Sequence, residues 1–135
     1  MVELTEAAKK LTMDTNGDGT IDQFGIALRG QRGESINMWI YPLFLWAYGG
    51  KWFDEKWEPQ FNGKEGVAAL NKYVELLQKY APPGAANYGW VEIQNGLLDG
   101  HIAMVIDVEF MGLLSEDPKI TSWICKYKAG KILNN

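Results

Sequence analysis

The most explicit chemical pattern in the chain lies near its start, where Asp14, Asn16, Asp18, Gly19, Thr20 and Asp22 match the first nine positions of an EF-hand loop. In such a loop, alternating carboxylate and amide oxygens are aimed at a hard cation, and the glycine permits the sharp turn. The twelfth position, which should carry a bidentate Glu, is Gly25. Two readings stay open. A calcium ion is held by Asp14, Asn16, Asp18, Thr20 and Asp22 and completed by a Glu distant in sequence, or the segment is a tight acidic turn. The aromatic residues are the second unusual feature, with six Trp and six Tyr. Each offers a flat apolar face with a polar edge, which suits both core filling and stacking against the C–H faces of sugars.

Catalytic patterns do not assemble. Glu92, Asp99, Glu109 and Asp117 have no spacing that marks a carboxylate pair. Gly17, Gly19, Gly30 and Gly33 lack the strand–helix context of a phosphate loop. With His101 the only histidine, a multi-histidine zinc site is impossible and a Ser-His-Asp triad has little basis. Cys125 is the only cysteine, so no internal disulfide framework exists, and its neighbours give no reason for a lowered thiol pKa. A net charge of −4 and a pI near 5.0, without a Lys/Arg cluster, argue against nucleic acid and against an anionic membrane surface. The residue patterns thus offer no basis for an enzyme.

The elements that must position these groups follow from periodicity. The length of 135 residues fits one domain, 1–135. Leu4, Ala7, Ala8 and Leu11 mark a short amphipathic helix that stops at the 14–19 turn. Phe24, Ile26 and Leu28 alternate as a strand ending near Arg29-Gly30. Residues 36–48 are apolar nearly all round and predict a largely buried helix, N-capped by Ser35, in which Pro42 is either a kink or the first turn. Gly49 is its natural C′ residue. Asn62 with Glu65 resembles a capping box for a helix that buries Val67, Leu70, Val74 and Leu77 and ends at Pro82-Pro83-Gly84. A further helix is expected over about 90–98, closed by Gly100. The unbroken apolar run 101–107 reads as a strand covered on both faces, so the fold class is α/β. A short helix over 108–114, a capped turn at Asp117-Pro118 and a weak strand pattern around 131–133 complete the reading, with 120–135 an unassigned tail. The longest apolar stretch, 39–48, is interrupted by Pro42 and too short to cross a bilayer. Met1 leads directly into a charged helix, with no signal-peptide pattern.

Five stretches taken together, ELTEAAKKLT, DTNGDGTIDQFGIALRG, LWAYGGKWFDE, FNGKEGVAALNKYVELLQKYAPPGA and GHIAMVID, resemble the family 1 extracellular solute-binding proteins of sugar ABC transporters, in order and at matching spacings. The ALRG loop and the PPGA stop are most similar to the sugar-alcohol and monosaccharide binders. Members of that family have two lobes that grip the ligand between them, and this chain resembles most of the second, C-terminal lobe. The resemblance implies one lobe of a type II periplasmic-binding-protein-like fold, with helices packed around a small sheet. It also implies a sugar or polyol ligand, docking of the full-length form on an ABC permease, and an extracytoplasmic setting in the periplasm or as a cell-surface lipoprotein. An isolated lobe should bind weakly or not at all, and its exposed cleft face is a route to self-association. The alternative is a calcium-binding interaction domain built on the 14–22 loop.

Carried onto this sequence, the family's ligand contacts fall on Arg29 with nearby Gln31, on Asn37 and Trp39, and on the stretch from Asp107 to Phe110. Trp90 is a further candidate at the start of its helix. Arg29, Asn37 and Asp107 offer the planar, paired groups that adjacent hydroxyls need, and Trp39 or Trp90 offers an aromatic wall. Arg29 is equally readable as a solvated charge, Trp39 as core, and Asp107 as a helix cap. The bulky Val108-Glu109-Phe110 departs from the small residues usual there, which leaves Phe110 to stack instead.

Overall fold

The computed structural model describes residues 1–33, 36–107 and 119. The expected elements over 108–114, 117–118 and 131–133, the Ser35 cap and Phe110 lie outside them. Four α-helices are present among the described residues: α1 (Val2–Leu11), α2 (Tyr41–Ala47), α3 (Lys64–Lys79) and α4 (Trp90–Leu98). Short 3-10 turns at Asn37–Trp39 and Ala85–Asn87 precede α2 and α4.

The two segments expected as strands are extended but meet only at isolated bridges. Phe24 pairs with Ile102 and Ala27 with Val105, both parallel and both in one register. Between those bridges the backbone of the first segment turns to other partners. The Ile26 N–H donates to the Tyr80 carbonyl at 3.2 Å. Gly25 lies so close to α1 that a Cβ there would stand 1.8 Å from the Ala8 carbonyl oxygen. No continuous strand forms among the described residues, because each extended segment shares its hydrogen bonds with helix ends.

These segments nonetheless separate two apolar cores, by strict alternation in the first and, in the second, only from Met104 onward, after the bend at Ala103. Ile26 and Leu28 join Ala8, Ile40, Phe44, Ala69, Tyr73 and Leu76, with Met104 and Ile106 packed alongside. Ala27 turns the other way, to Ile93 and Ile102, with Tyr88 and Val105 against them. The sequence expectation that the 101–107 run is covered on both faces is therefore matched in packing, though not in sheet hydrogen bonding.

Three expectations about the helices are corrected. The 36–48 segment is not largely buried: Ile40, Phe44 and Leu45 face the core, while Met38, Trp39, Leu43 and Trp46 are exposed. Pro42 sits in the first turn of α2, where its missing N–H costs nothing. In α3 the buried face is Gly66, Ala69, Tyr73 and Leu76, not the stripe of Val67, Leu70 and Val74, which are exposed. Gly66 packs on the chain just before the helix, where a Cβ would lie 1.7 Å from the Phe61 carbonyl oxygen, while Ala69, Tyr73 and Leu76 enter the core beside Ile26, Leu28 and Phe44. The N-cap of α3 is Gly63, without a side-chain cap, not Asn62.

The helix stops match expectation. After α2, the Gly50 N–H reaches the Leu45 carbonyl at 2.8 Å and the Gly49 N–H reaches that of Trp46 at 2.9 Å. With Gly49 at φ 76°, this is a Schellman cap. Downstream, 52–60 forms a small hairpin closed by a Phe53–Pro59 bridge. In it the Asp54 carboxylate accepts the Lys56 and Glu58 N–H groups at 2.8 and 2.9 Å, and Trp57 adopts φ 62°.

Candidate functional site

Arg29 and Asp107 stand in the same register as the two parallel bridges, 78 residues apart. Each lies two residues beyond a residue that faces α4, Ala27 and Val105 respectively, so in extended chain both side chains share that face. There they form a bidentate ion pair. Nε of Arg29 donates to Oδ2 of Asp107 at 2.6 Å, and Nη2 donates to Oδ1 at 2.5 Å. The Asp107 side chain is fully buried and that of Arg29 is 11% exposed. The carboxylate beside it raises the guanidinium's pKa further above its usual value. The pair takes the Nε and Nη2 edge of the fork and leaves Nη1 outside it.

The segment that follows Arg29 is fixed residue by residue. The buried Tyr73 hydroxyl, from α3, donates to the Arg29 carbonyl at 2.7 Å. Burial pushes the Tyr73 phenol far up, so it remains a donor. Gly30 is pressed on the Ala85–Asn87 turn, where a Cβ would stand 2.1 Å from the Ala85 carbonyl oxygen. The Gln31 N–H donates to the Tyr88 carbonyl at 3.0 Å. The Gln31 side-chain oxygen lies against Gly89, 2.9 Å from where a Cβ would be. Gly89 opens α4, and its N–H is taken at 2.8 Å by the carboxylate of Glu92. Trp90, the first residue of α4, is 44% exposed beside this junction.

The structure thus brings together Arg29, Asp107, Gln31 and the start of α4 that carries Trp90. Trp39 belongs to a different patch, and Asn37 opens the short turn that carries it. Trp39 is 66% exposed and, with Met38, Pro42, Leu43 and Trp46, lines an open depression of about 320 Å³ on the outer side of α2. The reading of Trp39 as core is corrected by that exposure, as is the reading of Arg29 as a solvated charge by its buried pair. Tyr73 was missed as a residue of this site. Its signal was the 66-69-73-76 spacing, overshadowed by the larger side chains of the neighbouring Val/Leu stripe.

The acidic loop spends its oxygens on its own backbone. The Asp14 carboxylate accepts the N–H groups of Asn16, Gly17 and Gly19 at 3.1, 2.6 and 2.7 Å. Asn16 accepts from Asp18, Asp18 from the Thr20 N–H, and Asp22 from both the N–H and hydroxyl of Thr15. Among the described residues, no group of three or more His, Cys, Asp or Glu side chains converges as a metal site would require. The Gly19 and Gly17 N–H groups hold the Asp14 pKa below its ordinary 3.8, and the Thr20 N–H lowers that of Asp18 likewise. A depressed folded-state pKa means that the loop's order is present above the ordinary value and is lost as pH falls through the lower one. Amide chemical shifts of Gly17 and Gly19 should therefore titrate with a midpoint below pH 3.8. A midpoint at or above that value would contradict the hydrogen bonding.

Comparison with known proteins adds context to this geometry. The family model of bacterial extracellular solute-binding proteins matches residues 2–122. A mannitol-binding protein of Pseudomonas aeruginosa is 36% identical over 115 residues, which is 85% of this chain and 25% of that one. The solved ABC transporter solute-binding protein of Agrobacterium vitis, with bound D-mannitol, superposes with a TM-score of 0.81 at 32% identity, covering 91% of this chain and 28% of that one. A second, from Agrobacterium radiobacter in complex with ribitol, gives 0.78 at 28% identity, covering 91% of this chain and 29% of that one. The chain thus spans about a quarter of the length of the curated relative it matches.

Proposed function

The chain belongs to the bacterial extracellular solute-binding proteins, and on that premise we propose that it supplies most of one lobe of a polyol receptor for an ABC importer. The observation that carries the reading is its likeness, over 91% of its length, to solute-binding proteins solved with mannitol and with ribitol. In this reading the register shared by 24–29 and 102–107 is the nucleus of the sheet of a type II binding-protein lobe. The setting is extracytoplasmic, and the permease is the docking partner of the longer form. The activity is capture, without chemical conversion of the ligand.

The site geometry fits a linear polyol. Asp107, with its side chain buried, orients the guanidinium instead of meeting the ligand, and Arg29 presents Nη1 to adjacent hydroxyls. Trp90 gives the C–H face an aromatic surface, and Gln31 adds an amide beside it. Trp39 and Asn37 form a second wall that the opposing lobe would close upon. Tight binding needs both lobes around the ligand, and the apolar α2 depression left open without one is a surface for self-association.

The test is a titration of the 135-residue chain with D-mannitol and ribitol, followed by the Trp90 indole N–H and the Arg29 Nε–H in heteronuclear NMR. Both signals should move with a dissociation constant on the order of 10 mM, the weak affinity of a half-cleft. A titration to saturation-level polyol that moves neither resonance would overturn the assignment of Arg29 and Trp90 as ligand contacts that this lobe presents by itself.

A further inference from the structure

We propose that Tyr73 is the positioning residue of the arginine site, setting the Arg29 backbone and thereby the direction in which the guanidinium leaves it. Its importance for ligand capture rests on the polyol reading of Arg29 given above. The argument begins with what holds Tyr73. Its ring stands edge-on to Phe44 at 5.0 Å between centroids and to Tyr41 at 6.5 Å, so α2 fixes it from one side. From that locked position the hydroxyl reaches across to a carbonyl 44 residues earlier in the chain. The Arg29 carbonyl lies immediately before Gly30, whose contact with Ala85 and Ala86 leaves no room for a side chain. The peptide between Arg29 and Gly30 is thus held at its oxygen by Tyr73 and at its far end by the 85–86 backbone.

A guanidinium that meets a buried carboxylate through two fixed N–H groups tolerates little rotation of the backbone that carries it. Removing the Tyr73 hydroxyl leaves the Arg29 carbonyl without this donor, in surroundings where an unmet acceptor favours a rotated peptide. The bidentate geometry then loosens although both charged residues remain in place. A purely structural hydrogen bond would affect stability alone, whereas a positioning bond affects the arginine fork.

The two arginines of the chain, Arg29 and Arg32, make the distinction measurable. Arg32 is exposed on the loop and serves as the internal reference. In the wild type, the Arg29 Nε–H should exchange with solvent at least tenfold more slowly than that of Arg32, and equal rates would overturn the proposal. In Tyr73→Phe, which keeps the ring contacts, Arg29 exchange should rise at least tenfold while Arg32 is unchanged, and the mannitol-induced shifts should weaken several-fold. Tyr41→Phe removes a comparable hydroxyl, one that donates to the Gly66 carbonyl at 3.2 Å, away from the pair. It should lower the melting temperature without accelerating Arg29 exchange. Arg29 exchange within twofold of wild type in a folded Tyr73→Phe, or equal acceleration in Tyr41→Phe, would refute the positioning role. Absence of any mannitol response in the wild type would refute Arg29 as a polyol contact of this lobe, and the exchange comparison would still decide the role of Tyr73.

Discussion

Replacing Asp107 with Ala is expected to destabilise the fold by about 3–5 kcal/mol, the usual consequence of removing one member of a buried ion pair. Arg29 is only 9% exposed, and its guanidinium would be left without the carboxylate that takes two of its N–H groups. Against a total stability of roughly 5–15 kcal/mol for a domain, a loss of that size brings the variant near its unfolding midpoint at ordinary temperature. The double substitution of Arg29→Met with Asp107→Leu should cost less than the single one, because it removes both desolvated charges together. Urea unfolding of the two variants is the check. A single variant within about 1 kcal/mol of the wild type would show that the carboxylate is not holding the guanidinium in solution.

The second large effect concerns α2. Phe44 is 1% exposed and packs edge-on to Tyr73, so Phe44→Ala should cost about 3–5 kcal/mol through lost burial and an unfilled cavity. Leu43→Ala and Trp46→Ala, on the exposed side of the same helix, should each stay within about 0.5 kcal/mol of the wild type. Thermal and urea unfolding of the three variants separates a half-buried helix from a fully buried one. Similar losses in all three would restore the all-round burial that the apolar sequence suggests.

The contrast shows which parts of this fold can be read along the chain. Helix stops were legible because the information is local. Gly49-Gly50 and Pro82-Pro83-Gly84 end helices through backbone conformations that neighbouring residues barely influence. The facing of α2 and α3 was not legible, since apolar residues occupy more than one side of each. The choice between Val67/Leu70 and Ala69/Tyr73 depends on which face residues 26–28 and α2 cover, a tertiary fact. The 52–60 hairpin was missed because it lacks an Asn-Gly or Asp-Gly pair. Asp54 shapes it through side-chain hydrogen bonds, and Trp57 takes the positive φ where a glycine would be expected.

The candidate site shows a similar division. Arg29, Asp107 and Trp90 were all flagged by residue type and place, each for direct contact with a ligand. That Arg29 and Asp107 satisfy one another follows only from the parallel register of two segments far apart in sequence. Tyr73 carried no motif at all. Its significance comes from a carbonyl that no sequence pattern connects to it.

That register also bears on how the chain reaches its folded state. The bridges Phe24–Ile102 and Ala27–Val105 and the Arg29–Asp107 pair close a loop that contains α2, α3 and α4. Loop closure over such a span must be met in entropy before its contacts give anything back, which makes it a slow step compared with local helix formation. The helix pair α2 and α3, joined through nearby residues, can assemble while residues 24–29 still await their partner. During biosynthesis the first segment emerges long before the second, and the parallel partner it has among the described residues is complete only once Asp107 has been made. For that interval its apolar residues Ile26, Ala27 and Leu28, later among the most buried in the molecule, are the ones most in need of protection from intermolecular contact.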